Sequence, residues 1–122
     1  MTNQNKTVFL IEDNQDIAEA VQMLLEDAGF TVIVPKDENY LSHLSQNPLP
    51  DIILLDMLLS GVDGRDIITA LRQEKRTKDI PVILTSAHPN AKNIWKQSGA
   101  NEFIAKPFDI QSLVTLLKKN LH

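Results

Sequence analysis

At 122 residues with a formal net charge of −4, from 12 Lys and Arg against 16 Asp and Glu, the chain can bury one two-sided core and is too short for a second folded unit. The acidic balance and the scattering of its basic residues weigh against direct nucleic-acid binding, which relies on clustered Lys and Arg. The absence of cysteine excludes disulfides, thiol catalysis and thiolate metal sites, leaving oxygen ligands and three histidines. The opening residues, MTNQNKTVFLIED, have a polar lead and a short apolar run, so neither a secretory signal nor a membrane span is expected and the location is expected to be cytoplasmic.

Residues 7–11, TVFLI, read as a first strand, with Glu12, Asp13 and Asn14 at its carboxyl end. Ile17, Val21, Leu24, Leu25 and Ala28 then recur at helical spacing, and Gly29 closes that helix. Residues 31–34, TVIV, form a second strand ended by Pro35, before a weaker helix over residues 38–46 carrying Tyr40, Leu41 and Leu44. Asn47-Pro48-Leu49-Pro50 is a turn. The unbroken apolar run Ile52-Ile53-Leu54-Leu55 fits a third strand covered on both faces, and Asp56 is the first polar residue after it. The loop MLLSGVDG has two glycines that permit tight turning before a helix with Ile67, Ile68 and Leu71. Basic residues at 72, 75, 76 and 78 suit that helix's C-terminal end and the following loop. Residues 80–84, IPVIL, form a fourth strand with Pro81 near its beginning, and Thr85 and Ser86 come next. A helix over residues 90–98 ends at Gly99, and Glu102 to Ala105 is a short fifth strand with Lys106 at its end. Asp109 can cap a last helix with apolar positions Ile110, Leu113, Val114, Leu117 and Leu121. Strict strand-helix alternation implies an α/β fold: one doubly wound, five-stranded parallel sheet with helices on both faces and right-handed crossovers.

Strands one, three, four and five thus end in Asp13, Asp56, Thr85 and Lys106. Singly, each reads as a routine cap or turn former. Jointly they make chemical sense, because the carboxyl ends of a parallel sheet face the crevice where ligands bind. Glu12, Asp13 and Asp56 crowded at one rim would repel one another unless a cation shares the site. All-oxygen ligation suits a hard ion, most plausibly Mg²⁺ with positions left for water or phosphate. A lysine opposite can hold the charge of an incoming phosphoryl group, and a threonine hydroxyl can donate to its oxygen. Positioning, metal neutralisation and a cationic clamp are the recurring kit for phosphoryl transfer, and a carboxylate is an established covalent acceptor.

The ordered set Glu12-Asp13, Asp56, Thr85-Ser86 and Lys106-Pro107-Phe108, with Gly61 and Asp63-Gly64 after the acceptor and Gly99-Ala100 before the fifth strand, resembles the receiver domain of two-component response regulators. The resemblance covers the whole chain and leaves no effector region, so a stand-alone receiver with the flavodoxin-like (βα)5 fold is expected. It implies that Asp56 is the nucleophile taking a phosphoryl group from a phosphohistidine of a histidine kinase or histidine phosphotransfer protein. It implies that Asp13, Asp56 and the backbone carbonyl of Leu58 ligate Mg²⁺ or Mn²⁺, with Glu12 acting largely through water. Lys106 would pair with the carboxylate and then with the phosphoryl oxygens. Thr85 would bond to the new group, small Ser86 would leave room for it, and Phe103 would be the aromatic whose rotamer reports the shift. The Lys106-Pro107 bond is expected to be cis. A kinase or phosphotransfer helix would meet the exposed start of the first helix, Asn14, Ile17 and Ala18, and the Pro107-Phe108 loop. The output face, toward an unidentified protein target, would involve the last two helices and the fifth strand, in a monomer or a phosphorylation-dependent dimer.

Several positions depart from the family's pattern. Ser60 stands where it usually has proline, which predicts a looser loop after the acceptor. Glu12 replaces the commoner aspartate. Trp95 occupies a position usually held by a small residue and reads as partial core packing, while Phe103 fits packing and switching equally. His43 and His88 are expected at the surface or in loops, without metal. Leu58 and Ala87, flanking the path of an attacking water in receivers, cannot orient it by hydrogen bonding, which predicts slow self-dephosphorylation. Three other readings compete. A haloacid-dehalogenase-type phosphatase needs a second aspartate where Leu58 stands. A flavodoxin-like FMN binder needs a phosphate loop where Glu12-Asp13 would repel phosphate. A docking module that is never phosphorylated would not need Asp56, Thr85 and Lys106 together.

Overall fold

The protein is described by a computed structural model covering residues 6–46 and 48–121. The polar lead at residues 1–5 and Asn47 of the expected turn lie outside the described residues. Strands β1 (Thr7–Ile11), β2 (Thr31–Ile33), β3 (Ile52–Asp56), β6 (Val82–Ser86) and β7 (Glu102–Ala105) build one parallel sheet in the order β2-β1-β3-β6-β7. Between them lie α1 (Gln15–Asp27), α2 (Tyr40–Gln46), α3 (Gly64–Gln73) and the short α4 (Ala91–Ile94), and α5 (Ile110–Asn120) closes the chain. A two-stranded antiparallel hairpin, β4 (Leu58–Leu59) and β5 (Val62–Asp63), follows the third sheet strand.

The period-2 alternation of strand side chains divides the core in two. Val8, Leu10, Ile52, Leu54 and Ile83 face one side, where Ala18, Val21 and Leu25 of α1 and Leu113 and Leu117 of α5 cover them. Phe9, Ile11, Ile53, Leu55, Val82 and Leu84 face the other, packed by α2, α3 and α4 through Leu44, Ile67, Ile68, Leu71 and Ala91. The central strands β1, β3 and β6 are therefore apolar at nearly every position, as a sheet covered twice requires.

Boundaries differ from expectation where pairing or side-chain bonds decide them. Asp56 lies within β3, because the ladder continues past it with the Met57 N–H donating to the Thr85 carbonyl at 2.8 Å. Thr85 and Ser86 belong to β6, paired in register with Ile104 and Ala105, whereas Ile80 and Pro81 precede that strand. The second strand stops at Ile33, and α2 begins at Tyr40 rather than residue 38. The helix expected over 90–98 divides into α4 and a 3₁₀ turn, Trp95–Ser98. The Ser98 hydroxyl donates to the Trp95 carbonyl at 2.5 Å, a local side-chain bond that competes with continued α-helix. Trp95 is half-buried against the core and stacks on Phe103 with centroids 6.2 Å apart and planes at 15°, in keeping with partial core packing.

Arg72 does more than complement a helix end. Its guanidinium donates to the carbonyls of Lys78 (2.9 Å), Ile80 (2.7 Å) and Gly99 (3.2 and 3.3 Å) and to Asn101 Oδ1 (2.9 Å). Asn101 Oδ1 in turn accepts the Val82 N–H at 2.8 Å. One side chain thus ties the end of α3 to the entries of β6 and β7. Truncation strands the partly buried Ile80 carbonyl and removes four exposed bonds, so Arg72→Ala is expected to lower stability by about 1–3 kcal/mol in urea unfolding, with Arg72→Lys, a point donor without the planar fork, falling between it and wild type.

Candidate functional site

The carboxyl ends of β1, β3, β6 and β7 bring the expected residues to one crevice. Asp56 closes β3 opposite Thr85 of β6, and both are buried. Glu12 and Asp13 follow β1, and one carboxylate oxygen from each of Glu12, Asp13 and Asp56 lies within 4.8 Å of the others. Lys106, just past β7, reaches across the sheet: its Nζ stands 2.5 Å from Glu12 Oε1 and 2.9 Å from Asp56 Oδ2. The Lys106-Pro107 peptide bond is cis, as expected.

Each carboxylate is further oriented by backbone N–H groups. The Leu58 N–H donates to Asp56 Oδ1 at 3.1 Å, and the Asn14 N–H to Glu12 Oε2 at 3.1 Å. Ser60, at the tip of the hairpin, donates its N–H to Asp13 Oδ2 at 2.7 Å. That N–H, then the Ser60 side chain, holds the Asp13 carboxyl below its ordinary pKa. For Lys106, burial alone would lower the ammonium's pKa, but the hydrogen bonds it donates to Glu12 and Asp56, with their negative charges, outweigh it and the net displacement is upward. The lysine is therefore fully charged at neutral pH. The Thr85 hydroxyl is buried with no hydrogen-bond partner, although buried hydroxyls are nearly always satisfied.

One correction follows. Ala18 is 3% exposed and faces the core, so it is no part of a surface at the start of α1; Asn14, which caps α1 through the Ile17 N–H, and Ile17, 40% exposed, are. Phe108 is half-buried against the α1/α5 side of the core, beside the exposed Pro107. Glu12 also accepts a bond from Lys106. The loop after the acceptor was expected to be looser for lack of proline, yet Ser60 supplies an N–H that proline lacks and thereby joins the hairpin to Asp13. Leu58 is exposed beside the acceptor, and Phe103 is half-buried under Trp95. His88 is exposed in the loop after β6, and His43 pairs with Asp37 at 2.8 Å.

The donor set suits a divalent cation: three carboxylates face a single ammonium, all hard oxygen donors with no soft ligand among them. A model of the response regulator receiver domain matches residues 8–118. The chain belongs to this family. The phosphate regulon transcriptional regulatory protein PhoB of Escherichia coli is 33% identical over 115 residues, covering 93% of this chain and 50% of that protein. The chain thus spans about half the length of the curated relatives it matches. Among solved structures, a putative response regulator from Chloroflexus aurantiacus superposes with a TM-score of 0.86 at 32% identity, covering 94% of this receiver and 96% of that chain. The response regulator TrrA of Thermotoga maritima, solved in complex with Mg²⁺-BeF, shares the fold with a TM-score of 0.83 at 24% identity, covering 95% of this receiver and 99% of that chain.

Sequence reasoning missed one contact that supports this receiver's crevice. A Cβ on Gly64 would lie 2.5 Å from the Asp56 carbonyl oxygen and 3.0 Å from Met57 Cα, both backbone atoms, and the Gly64 N–H donates to the Met57 carbonyl at 2.7 Å. The first turn of α3 is seated directly on the end of the acceptor strand, and the Asp63-Gly64 pair was its visible sign. Gly61, by contrast, has open space but a φ of +74°. Gly64→Ala is expected to cost about 1–3 kcal/mol by overpacking and to shift the amide NMR signals of Asp56 and Met57. Gly61→Ala should cost about 1–2 kcal/mol from left-handed backbone strain and leave those two signals in place.

Proposed function

We propose that this receiver accepts a phosphoryl group on Asp56 from the phosphohistidine of a histidine kinase or histidine phosphotransfer protein and uses it to switch its interaction with a protein target. The observation that carries the reading is Asp56 at the strand end, bridged by Lys106 to Glu12, with the unpartnered Thr85 hydroxyl one strand across. An Asp56 carboxylate oxygen attacks phosphorus, the P–N bond breaks, and its electron pair stays on the imidazole nitrogen, which then takes a proton. Lys106, already at Asp56, neutralises charge on the transferring group. Thr85 gains a hydrogen-bond partner, and its hydroxyl and the small Ser86 beside it form the wall that accommodates the new oxygens. The chain supplies these groups itself, so it catalyses its own phosphorylation as well as the later attack of water on phosphorus that releases phosphate. Asp13, Asp56 and the Leu58 carbonyl would hold Mg²⁺ or Mn²⁺, with Glu12 through water, and the ion would offset the phosphoryl charge.

Inward movement of Thr85 would draw on β6 and its neighbour β7, where Phe103 pairs with Leu84 and stacks on Trp95. A rotamer change of Phe103 would therefore be felt at the α4–β7–α5 face. Asn14, Ile17, Pro107 and the partly exposed Phe108 frame the approach of the phosphodonor.

Incubation with acetyl phosphate and Mg²⁺ is expected to add one phosphoryl group to the wild-type mass and none to Asp56→Ala; an unchanged wild-type mass would remove the proposal. Leu58 and Ala87 offer an attacking water no side-chain hydrogen bond. Decay of the acyl phosphate is expected to be slow, and Leu58→Asn should hasten it roughly fivefold, the equivalent of one hydrogen bond of about 1 kcal/mol.

A further inference from the structure

A groove of about 890 Å³ lies between the first half of α1 and the segment that joins β2 to α2, with Glu12 and Asp13 also on its lining. Its walls carry Glu19 on α1 and Asp37 and Glu38 on the opposite segment, against one lysine, Lys36. Some of this charge is already answered: Glu12 pairs with Lys106, and Asp37 with His43. Glu19 and Glu38, on opposite walls, make no ion pair with any described residue, and Glu19 accepts only a long neutral bond, from Gln15 Nε2 at 3.4 Å. Tyr40 lines the same groove. It is 8% exposed, its ring belongs to the core cluster beneath, and its hydroxyl has no hydrogen-bond partner among the described residues. Burial first, and then the nearby Asp13, Glu38, Asp37 and Glu12 charges, push that hydroxyl's pKa up, so it stays neutral and able both to donate and to accept. Ala18, Val34 and Pro35 supply apolar lining.

A ligand for this groove needs positive charge for the two unanswered carboxylates, a hydrogen-bonding group for Tyr40 and an aliphatic stem for the apolar lining. A planar guanidinium offers five N–H donors in a fixed fork and is more weakly hydrated than an ammonium, so it can address both walls and the hydroxyl at once. We propose that the groove binds an alkylguanidinium group, as on the side chain of an arginine, through Glu19, Glu38 and Tyr40. The inference stands on the groove's own residues and does not require that Asp56 be phosphorylated.

The test is an NMR titration of the ¹⁵N-labelled chain, without Mg²⁺ or phosphodonor, using butylguanidinium in one arm and the peptide acetyl-Ala-Arg-Ala-amide in the other, with butylammonium and the Gln peptide as controls. Saturable shifts confined to residues 34–40 and Glu19 are expected. The double variant Glu19→Gln, Glu38→Gln should weaken binding roughly tenfold, about 0.7 kcal/mol from each lost charge-assisted bond, and Tyr40→Phe a few-fold. Tighter binding of the peptide than of the small guanidinium assigns the group to an arginine of a protein partner, and the reverse assigns it to a small molecule. Linear, unsaturated shifts in both arms, equal response to butylammonium, or indifference to the double variant would overturn the inference. The titration uses neither Mg²⁺ nor a phosphodonor, so a failed phosphorylation assay and a failed titration remain separable.

Discussion

The Lys106 ammonium, 2.5 Å from Glu12 and 2.9 Å from Asp56, is the interaction on which the crevice depends. A parallel sheet delivers the carboxyl ends of β1 and β3 side by side, and in this chain those ends carry acids with little exposure; the side chains of Glu12 and Asp56 are 6% and 10% exposed. Buried carboxylates in such proximity destabilise one another and the fold unless a cation answers them. Lys106 does so from the far edge strand, so the pairing of β7 with β6 is a condition for the charge balance at β1 and β3. One ammonium answers only part of the charge of the three carboxylates, and the remainder suits the crevice to a divalent cation.

The same geometry explains why an imperfection persists beside it. A buried hydroxyl with no partner costs roughly 1–3 kcal/mol, yet Thr85 is fixed there by a ladder that pairs it with Asp56 on one side and Ile104 on the other. Rotating the strand by one residue to expose the hydroxyl would turn Ile83 and Leu84, both fully buried, out of the two cores. Packing therefore holds an unsatisfied donor next to the acceptor carboxylate. Under the proposed function, a phosphoryl group on Asp56 would supply the oxygen that this hydroxyl lacks.

Much of this was legible in the sequence because the signals were strong and local. Unbroken apolar runs located β1 and β3, Asp109 announced α5 as its cap, and the polar residues after each run marked the crevice. What escaped was set by tertiary pairing. Asp56 and Thr85 looked like residues beyond their strands because they are polar, whereas neighbouring backbones extend the ladder through them. Helix α1 shows Ile17, Val21, Leu24, Leu25 and Ala28 at helical spacing, with Ala18 expected at its exposed start, but Ala18, Val21 and Leu25 form its buried stripe; a small alanine at the contact lets α1 lie close to the sheet, and the apolar count alone could not fix the phase. The Ser60 N–H on Asp13 joins segments far apart and no side-chain pattern announces it, while the seat of Gly64 on Asp56 showed only in the Asp63-Gly64 pair. Arg72 likewise read as a charge at a helix end, since its acceptors are carbonyls whose convergence only the fold creates.

The crevice and the neighbouring groove share Glu12 and Asp13, and this sharing gives the two sites one electrostatic field. A cation in the crevice lowers the negative potential felt across the groove, while a guanidinium in the groove relieves the repulsion that the crevice carboxylates exert on an incoming phosphoryl group. The first effect opposes guanidinium binding and the second assists the proposed loading of Asp56, and both act in a partly desolvated region where screening is weak. By linkage, whichever change strengthens guanidinium binding must be strengthened by it to the same degree. A phosphodonor that carried an arginine into the groove would gain attachment and would also bring compensating charge to the rim of a site that otherwise repels phosphate, so recognition of the donor and ease of transfer would rest on the same carboxylates.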